Sequence, residues 1–274
     1  MPLESEFDDT ERRSLFSSHA AAYGDGRPGY PSQLFDHLRT ACKLDARSRV
    51  LEIGAGAGQA TGPLLDTGAE VLAIEVGEEF AQLLRSKFAS DRLEVKVGEF
   101  ETVDVEPGSF DLVAAATSFH WIEPERGLKR VADLLRPNGF VALWWTHFGD
   151  PERPDPFRDA VQPLLEQHAP HLTDSITGGA GIGAHPYALD SEARRSEIAS
   201  AGRFGPVSEH RIAWTATQTA VEMQRFLASF SSWMALESDV RTKLLREIGD
   251  LINGVFGGAV ERPFVTAIYT AARA

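Results

Sequence analysis

Short apolar runs alternate along the first half of the chain with stretches whose apolar residues recur at helical spacing. Residues 50–53, 70–75, 93–97, 110–116 and 140–145 read as strands. Between them, residues 58–67, a face built from Phe80, Leu83, Leu84 and Phe88, and residues 125–135 read as helices. Strand alternating with helix predicts a parallel sheet covered on both faces. An arm precedes the first strand. Leu15, Phe16, His19, Ala20 and Tyr23 could line a short helix, residues 23–31 form a Gly- and Pro-rich loop, and a second helix spans 32–42. Past residue 145 the pattern loosens. A helix over 157–168, a glycine-rich loop at 177–183, a strand over 207–216, helices over 219–230 and 238–256 and a last strand over 264–270 complete the chain.

The first strand ends in Glu52-Ile53-Gly54-Ala55-Gly56-Ala57-Gly58-Gln59. Glycine there lets the backbone turn sharply and lets a ligand approach with no Cβ in the way. A helix beginning after such a turn points free N–H groups at the same place. The spacing selects among ligands. A dinucleotide fingerprint, Gly-x-Gly-x-x-Gly, would need its third glycine at position 59, which is Gln59; the third glycine comes one residue early, at Gly58. Glu75 closes the second strand about 20 residues past Gly54, where a ribose-binding carboxylate is expected. The fourth strand runs into Thr117-Ser118-Phe119-His120-Trp121, and ligands in open α/β sheets sit beyond such strand ends.

Glu-x-Gly-x-Gly-x-Gly resembles motif I of the class I S-adenosylmethionine (SAM)-dependent methyltransferases. The leader Phe16…Ala20…Tyr23…Arg27-Pro28-Gly29-Tyr30-Pro31, with Phe110-Asp-Leu-Val, His120-Trp121 and Leu134-Leu-Arg-Pro-Asn-Gly139, resembles their type 11 branch, near the trans-aconitate methyltransferase-like proteins. The resemblance runs nearly unbroken over residues 12–145. It implies a Rossmann-like, doubly wound, seven-stranded α/β sheet whose last two strands form an edge hairpin. About 40 residues separate those strands here, too many for a turn, and read as an inserted helical cap. The chain then divides into an arm (1–45), a cofactor-binding core (46–150) and cap helices with the last two strands (151–274), one continuous catalytic unit.

The resemblance also implies roles. Tyr23 and Arg27 contact the cofactor carboxylate, Glu52 fixes its amino-acid end, Gly54, Gly56, Gly58 and Gln59 cradle it, and Glu75 and Val76 hold its ribose side. Glu99 takes the adenine amino group, the Phe100 N–H meets the ring, and Thr117 and Phe119 close the pocket. His120 is the candidate catalytic residue, to deprotonate or orient the acceptor. Trp121, Trp145, His147, Phe230 and Trp233 are candidates for its pocket.

Charge and cysteine content narrow the partners. A net charge of −13 repels a phosphate backbone, so a small-molecule acceptor is expected in preference to nucleic acid. The lone Cys42 rules out an internal disulfide and a Cys-type zinc site and fits a cytoplasmic compartment. The acidic N-terminus has no apolar core for a signal peptide, and no 18-residue apolar run predicts a membrane span. His168 and His171 flank Pro170 without a carboxylate cluster, so no metal is expected. The expected reaction is methyl transfer from SAM, releasing S-adenosylhomocysteine. An NAD(P)-dependent oxidoreductase and a non-catalytic SAM-binding protein are the alternatives. The sequence leaves the oligomeric state open.

Overall fold

The structure is a computed structural model that describes residues 26–172 and 186–274. Tyr23, most of the N-terminal arm and the glycine-rich loop at 177–183 lie outside the described residues. Helix α1 (Ser32–Ala41) leads into β1 (Arg49–Ile53), α2 (Thr61–Asp66), β2 (Glu70–Glu75), α3 (Glu78–Lys87), β3 (Leu93–Val97) and β4 (Phe110–Ala116). Then come α4 (Pro124–Leu134), β5 (Leu135–His147), α5 (Pro156–His168), α6 (Ser191–Ser200) and β6 (Ser208–Thr219). Helices α7 (Ala220–Ala228), α8 (Ser231–Met234) and α9 (Ser238–Val255) separate β6 from β7 (Ala259–Ala272). The seven strands form one sheet in the order β3-β2-β1-β4-β5-β7-β6. The first five are parallel, and β7 runs antiparallel between β5 and β6.

Alternation along the strands assigns the two faces. Leu51, Ile53, Leu72, Ile74, Val113, Leu143 and Trp145 point to one side, against Leu128 and Val131 of α4 and Ile198 of α6. Val50, Val71, Leu112, Ala114, Trp144 and Ile268 point to the other, against Leu34, Phe35 and Leu38 of α1 and Leu64 and Leu65 of α2. Cys42 packs in this second cluster, and burial pushes its thiol up to about 12, so it is inert. A third cluster joins Phe157, Val161 and Leu165 of α5 to Met223, Phe226 and Leu227 of α7, Ile248 and Ile252 of α9, and Phe264 of β7.

Local signals start the helices. The Glu123 carboxylate accepts from the N–H groups of Glu125 and Arg126, with Pro124 opening α4. Thr219 and Glu222 form a reciprocal capping box on α7. Asp155 caps α5 by accepting from the Arg158 N–H, and Asp190 caps α6 by accepting from the Ala193 N–H.

Four differences from the sequence-based expectation have physical reasons. Helix α2 starts at Thr61, not 58, because Gly56 and Gly58 sit at φ +54° and +82°, outside the helical region. Strand β5 starts at Leu135 because the turn at 136–139 is absorbed as an irregularity in its pairing with β4, with Asn138 at φ +63°. The β6–β7 ladder continues to the pair Thr219–Ala259, so the inserted helices leave and re-enter at the very ends of an extended antiparallel pair. Helix α6 was not expected, because Ser191-Glu-Ala-Arg-Arg-Ser-Glu197 shows no apolar period.

One buried ion pair ties the third cluster to the sheet. The Arg262 Nε donates to Asp155 Oδ2 at 2.7 Å, with the two side chains 0% and 7% exposed, and its Nη2 donates to the Phe148 carbonyl at 3.0 Å. The guanidinium also lies over the rings of Phe157 and Phe264. Removing one member of such a pair leaves a buried charge. Arg262→Met is therefore expected to destabilise the fold by about 3–5 kcal/mol in chemical denaturation, whereas Arg39→Met, which breaks an exposed pair with Asp36, shifts it by about 1 kcal/mol or less. Equal effects would remove the Arg262 contact from the account of stability.

Candidate functional site

The site lies where the glycine turn, the end of β2 and the end of β4 meet. The three glycines serve different ends. A Cβ on Gly58 would fall 2.4 Å from the Phe88 ring at the C-terminal end of α3, so this residue lets the loop pack on α3. The Lys87 Nζ donates to the Ala57 carbonyl at 3.0 Å and anchors the same loop. A Cβ on Gly54 would lie 2.7 Å from the Ser118 Cβ, where the loop meets the end of β4, and Ser118 Oγ donates to the Ile53 carbonyl at 2.5 Å. Gly56 differs: its positive φ excludes a side chain although nothing protein-borne lies within 4 Å of where a Cβ would be. That open side is the space a ligand lying against the backbone takes.

Glu75 governs this loop. Its Oε2 accepts from the Gly56 N–H at 2.8 Å and its Oε1 from the Gly77 N–H at 3.0 Å. The Val76 N–H also stabilises the group, and a carboxylate has about four lone-pair directions, so one direction remains for a further donor. The group is 6% exposed, and burial raises its pKa against the lowering by its backbone bonds. Beside it Val76 is an exposed apolar residue at the strand end, suited to a flat ring. Glu99 is exposed at the adjacent strand end, and its carbonyl accepts from the N–H groups of Thr102 and Val103. Gln59 is half-buried next to the glycines.

Several expected residues stand elsewhere. Glu52 has no exposed surface; its Oε2 accepts from the Thr61 hydroxyl at 2.7 Å, and its Oε1 has no protein partner. Burial raises its pKa to about 8 against the lowering by the Thr61 bond. It braces the start of α2 from beneath the loop instead of presenting a carboxylate to the cleft. The side chains of Phe100 and Phe119 are both 3% exposed in the core, so only their backbones can face a cofactor. Trp233 is 0% exposed and belongs to the third cluster, which corrects its expected place on a pocket wall. His147, in register with Val265, is 6% exposed; burial and the charge of Arg158 lower its pKa to about 4. It too is packed instead of open.

Around His120 the structure brings three aromatic and two cationic side chains together. Trp145 Nε1 donates to His120 Nδ1 at 3.2 Å. Indole nitrogen is a donor only, so the neutral imidazole must carry its proton on Nε2. Trp121 lies beside the imidazole with ring centroids 5.0 Å apart, and Tyr187 approaches both His120 (6.0 Å) and Trp145 (5.2 Å) edge-on. His120 is exposed to solvent at the end of β4. The protein packed around it, with the charges of Arg27 and Arg194, lowers its pKa to about 4. Arg27 bridges to the inserted helices: its Nε donates to Ser229 Oγ at 3.3 Å, and its guanidinium sits over the rings of Phe230 (4.9 Å) and Phe148 (5.7 Å). Thr117, at φ +56°, accepts or donates a 3.0 Å bond with the Tyr30 hydroxyl and ends β4 in a strained turn. Tyr187, Arg194, Thr61 and Ser118 were not legible as site residues. Ser118 and Thr61 adjoin the motif, but Tyr187 and Arg194 come from a polar stretch with no periodic or motif signal.

The fold and this loop define an α/β enzyme that binds an adenosine-type cofactor at the ends of its parallel strands. Comparison with known proteins specifies the class. A methyltransferase-domain family profile matches residues 51–143. The chain is 30% identical over 237 residues to an uncharacterized methyltransferase of Mycobacterium tuberculosis, covering 86% of this chain and 85% of the relative. Among solved structures, a putative type II methyltransferase from Anaeromyxobacter dehalogenans shares the fold with a TM-score of 0.59 at 22% identity, over 90% of this chain and 97% of that one. Haemonchus contortus phosphoethanolamine N-methyltransferase 2, in complex with phosphomonomethylethanolamine and S-adenosylhomocysteine, gives 0.56 at 15% identity; 97% of this chain is covered, but only 59% of that one. The chain belongs to the class I SAM-dependent methyltransferases. Its cofactor is S-adenosylmethionine, and the open side of Gly56 with the spare lone-pair direction of Glu75 fits that group.

Glu75 offers the sharpest test of the cofactor cradle. Glu75→Gln is expected to weaken S-adenosylhomocysteine binding by about 1.5–3 kcal/mol in calorimetry, the worth of a charge-assisted hydrogen bond. Its melting temperature should also fall, since the amide NH2 of Gln would face one of the two backbone N–H groups that Glu75 now accepts from. Unchanged affinity in the folded variant would move the ribose contact to another residue.

Proposed function

We propose that this methyltransferase acts on a small-molecule acceptor, held against His120 and Trp121, with Trp145, only 4% exposed, behind them instead of on the pocket wall, and that His120 orients the acceptor as a hydrogen-bond donor. When bound, the cofactor supplies an electrophilic methyl group, and the protein supplies position and electrostatics. The observation that carries the reading is the Trp145-to-His120 hydrogen bond. It occupies the one basic nitrogen of the neutral imidazole and leaves Nε2–H as the free group. A base role needs the opposite tautomer, and a pKa near 4 makes a weak base in any case. The sequence left deprotonation and orientation both open for His120; the geometry favours orientation.

The acidic surface supports a small molecule over nucleic acid. The inserted helices α7–α9, with α5, would serve as the cap, since Ser229 and Phe230 reach Arg27 from that side. Tyr23, by resemblance, would join Arg27 at the cofactor's carboxylate. Among the described residues no helix is long and apolar enough to cross a membrane; a cytoplasmic place rests on the single reduced cysteine. The leader and the 110–139 motifs support a place in the trans-aconitate methyltransferase-like branch.

A donor and a base give different results in a turnover assay reading S-adenosylhomocysteine release over an acceptor panel. His120→Ala is expected to lower kcat/KM by roughly 10- to 100-fold, matching a hydrogen bond to a charged group. His120→Gln, which keeps an N–H donor, should recover most of that loss. In the parent, protonation of His120 begins only as pH falls through about 4, so kcat/KM should show no His120 limb near pH 6.5. A limb there that disappears in His120→Gln would establish a base and overturn the donor assignment.

A further inference from the structure

Among the described residues only three besides glycine take positive φ: Lys43, Thr117 and Asn138. Lys43 and Asn138 stand near the starts of β1 and β5, at the opposite end of the sheet from the cleft, and neither is branched at Cβ. Thr117 is branched there and sits in the cleft at φ +56°, where its side chain crowds its own carbonyl. Three bonds hold the turn that it begins. The Thr117 N–H donates to the Trp144 carbonyl of β5 at 2.8 Å, and Ser118 Oγ donates to the Ile53 carbonyl of β1 at 2.5 Å. The third bond comes from outside the sheet. The Thr117 hydroxyl shares a 3.0 Å bond with the hydroxyl of Tyr30, 87 positions earlier in the chain.

Tyr30 is itself well placed for this. Its ring is half-buried and meets Trp144 edge-on, with centroids 5.8 Å apart. The segment that carries it also holds Arg27, bonded to Ser229 and lying over Phe230, and Gly26, where a Cβ would fall 2.7 Å from the Arg225 carbonyl of α7. Residues 26–31 therefore touch the inserted helices at one end and the end of β4 at the other. The turn held by Tyr30 stands between the two halves of the site. Ser118 packs on Gly54 of the cofactor loop, and His120 follows two residues later with the Trp145 N–H on its Nδ1. A shift of this turn moves one half against the other, and the rate of a displacement is steep in that alignment. The cost of left-handed backbone at a β-branched residue and the net worth of one neutral hydrogen bond are of the same size. The Tyr30 hydroxyl is thus enough to decide whether Thr117 keeps its conformation.

We infer that Tyr30 is a positioning residue for methyl transfer: through its hydroxyl bond to Thr117 it holds the turn that aligns the cofactor loop with His120. The inference rests on the methyltransferase reading of this cleft and adds to it a residue that acts through Thr117.

The Trp145 indole N–H resonance of the full-length protein reports this alignment, because its proton lies in the bond to His120. It is assigned by its loss in Trp145→Phe and recorded with and without S-adenosylhomocysteine. Tyr30→Phe should shift it. Thr117→Val, which keeps the shape and loses the hydroxyl, should shift it the same way, and the two substitutions together should add nothing further. Thr117→Ser should leave it in place. Thr117→Gly in the Tyr30→Phe background should return it to the parent position, since glycine takes positive φ without the bond. Calorimetry should put S-adenosylhomocysteine affinity in Tyr30→Phe within about fivefold of the parent. In the turnover assay over the acceptor panel, the same variant should lower kcat about tenfold at unchanged KM for SAM. An unmoved resonance in Tyr30→Phe, additive shifts in the double variant, no recovery with Thr117→Gly, or parent kcat in Tyr30→Phe would overturn the inference. So would a loss of S-adenosylhomocysteine affinity beyond about fivefold, which would make Tyr30 a cofactor ligand. A parent that binds no S-adenosylhomocysteine defeats the methyltransferase reading beneath, while the spectra without it still read the coupling of Tyr30 to Thr117.

Discussion

The carboxylate of Glu75 holds the cofactor end of this enzyme in shape. Its two oxygens reach the N–H groups of Gly56 and Gly77, so one side chain pins the glycine loop after β1 to the start of α3 after β2. The loop cannot pin itself. Gly54, Gly56 and Gly58 all take positive φ, and three such residues in five would leave the segment free in an isolated chain. The Ile74 carbonyl accepts from the Gly54 N–H at 2.8 Å, which extends the same restraint into the sheet. Burial disfavours the Glu75 charge, and only the surrounding N–H donors make it tolerable. These bonds are made by the protein alone, so the loop takes its shape ahead of any ligand.

Glu52 shows the complementary arrangement one layer deeper. Its position in the motif suggests contact with the ligand, yet it is sealed under the loop and bonded to Thr61. Two acids in adjacent strands, both with raised pKa values, cannot both carry charge cheaply. Burial weighs more on Glu52, whose pKa is pushed up to about 8 and whose Oε1 has no protein partner. Glu75 is the member better supplied with backbone donors.

The sheet and the cofactor loop were legible because their signals are local. Four buried strands as apolar runs, an alternating edge strand β3, helical periods in α1, α3, α4, α5 and α9, and glycines at fixed spacing all lie in contiguous sequence. Ligand-facing positions at strand ends then follow from topology alone. The acceptor side was not legible in the same way. Tyr187 and Arg194 reach the cleft because the single 3-10 turn Tyr187–Leu189 and α6 fold back over β5 and β7, where the Tyr269 hydroxyl donates to the Ala188 carbonyl at 2.9 Å. Nothing in Ser191-Glu-Ala-Arg-Arg-Ser-Glu197 announces that packing, and a sequence reading places such a run on a solvated helix face. Trp233 erred the other way: an aromatic in an inserted segment looks like a pocket wall, but a core large enough to hold α5, α7 and α9 together needs it inside. His120 was located by the strand-end rule, while its tautomer depended on Trp145, a partner 25 positions away that only the β4–β5 pairing brings alongside.

The hydrogen-bond polarity of the cleft bears on the chemistry it can support. Trp145 offers an N–H and spends it on His120; His120 is left with an N–H; Arg194 holds two unspent N–H groups beside them. The groups that converge on the acceptor side are donors, and the charges that depress the His120 pKa are both positive. Donors placed together in this way leave lone pairs as the feature the protein itself does not supply, and with its Nδ1 occupied by the Trp145 N–H the His120 ring turns only its Nε2–H outward.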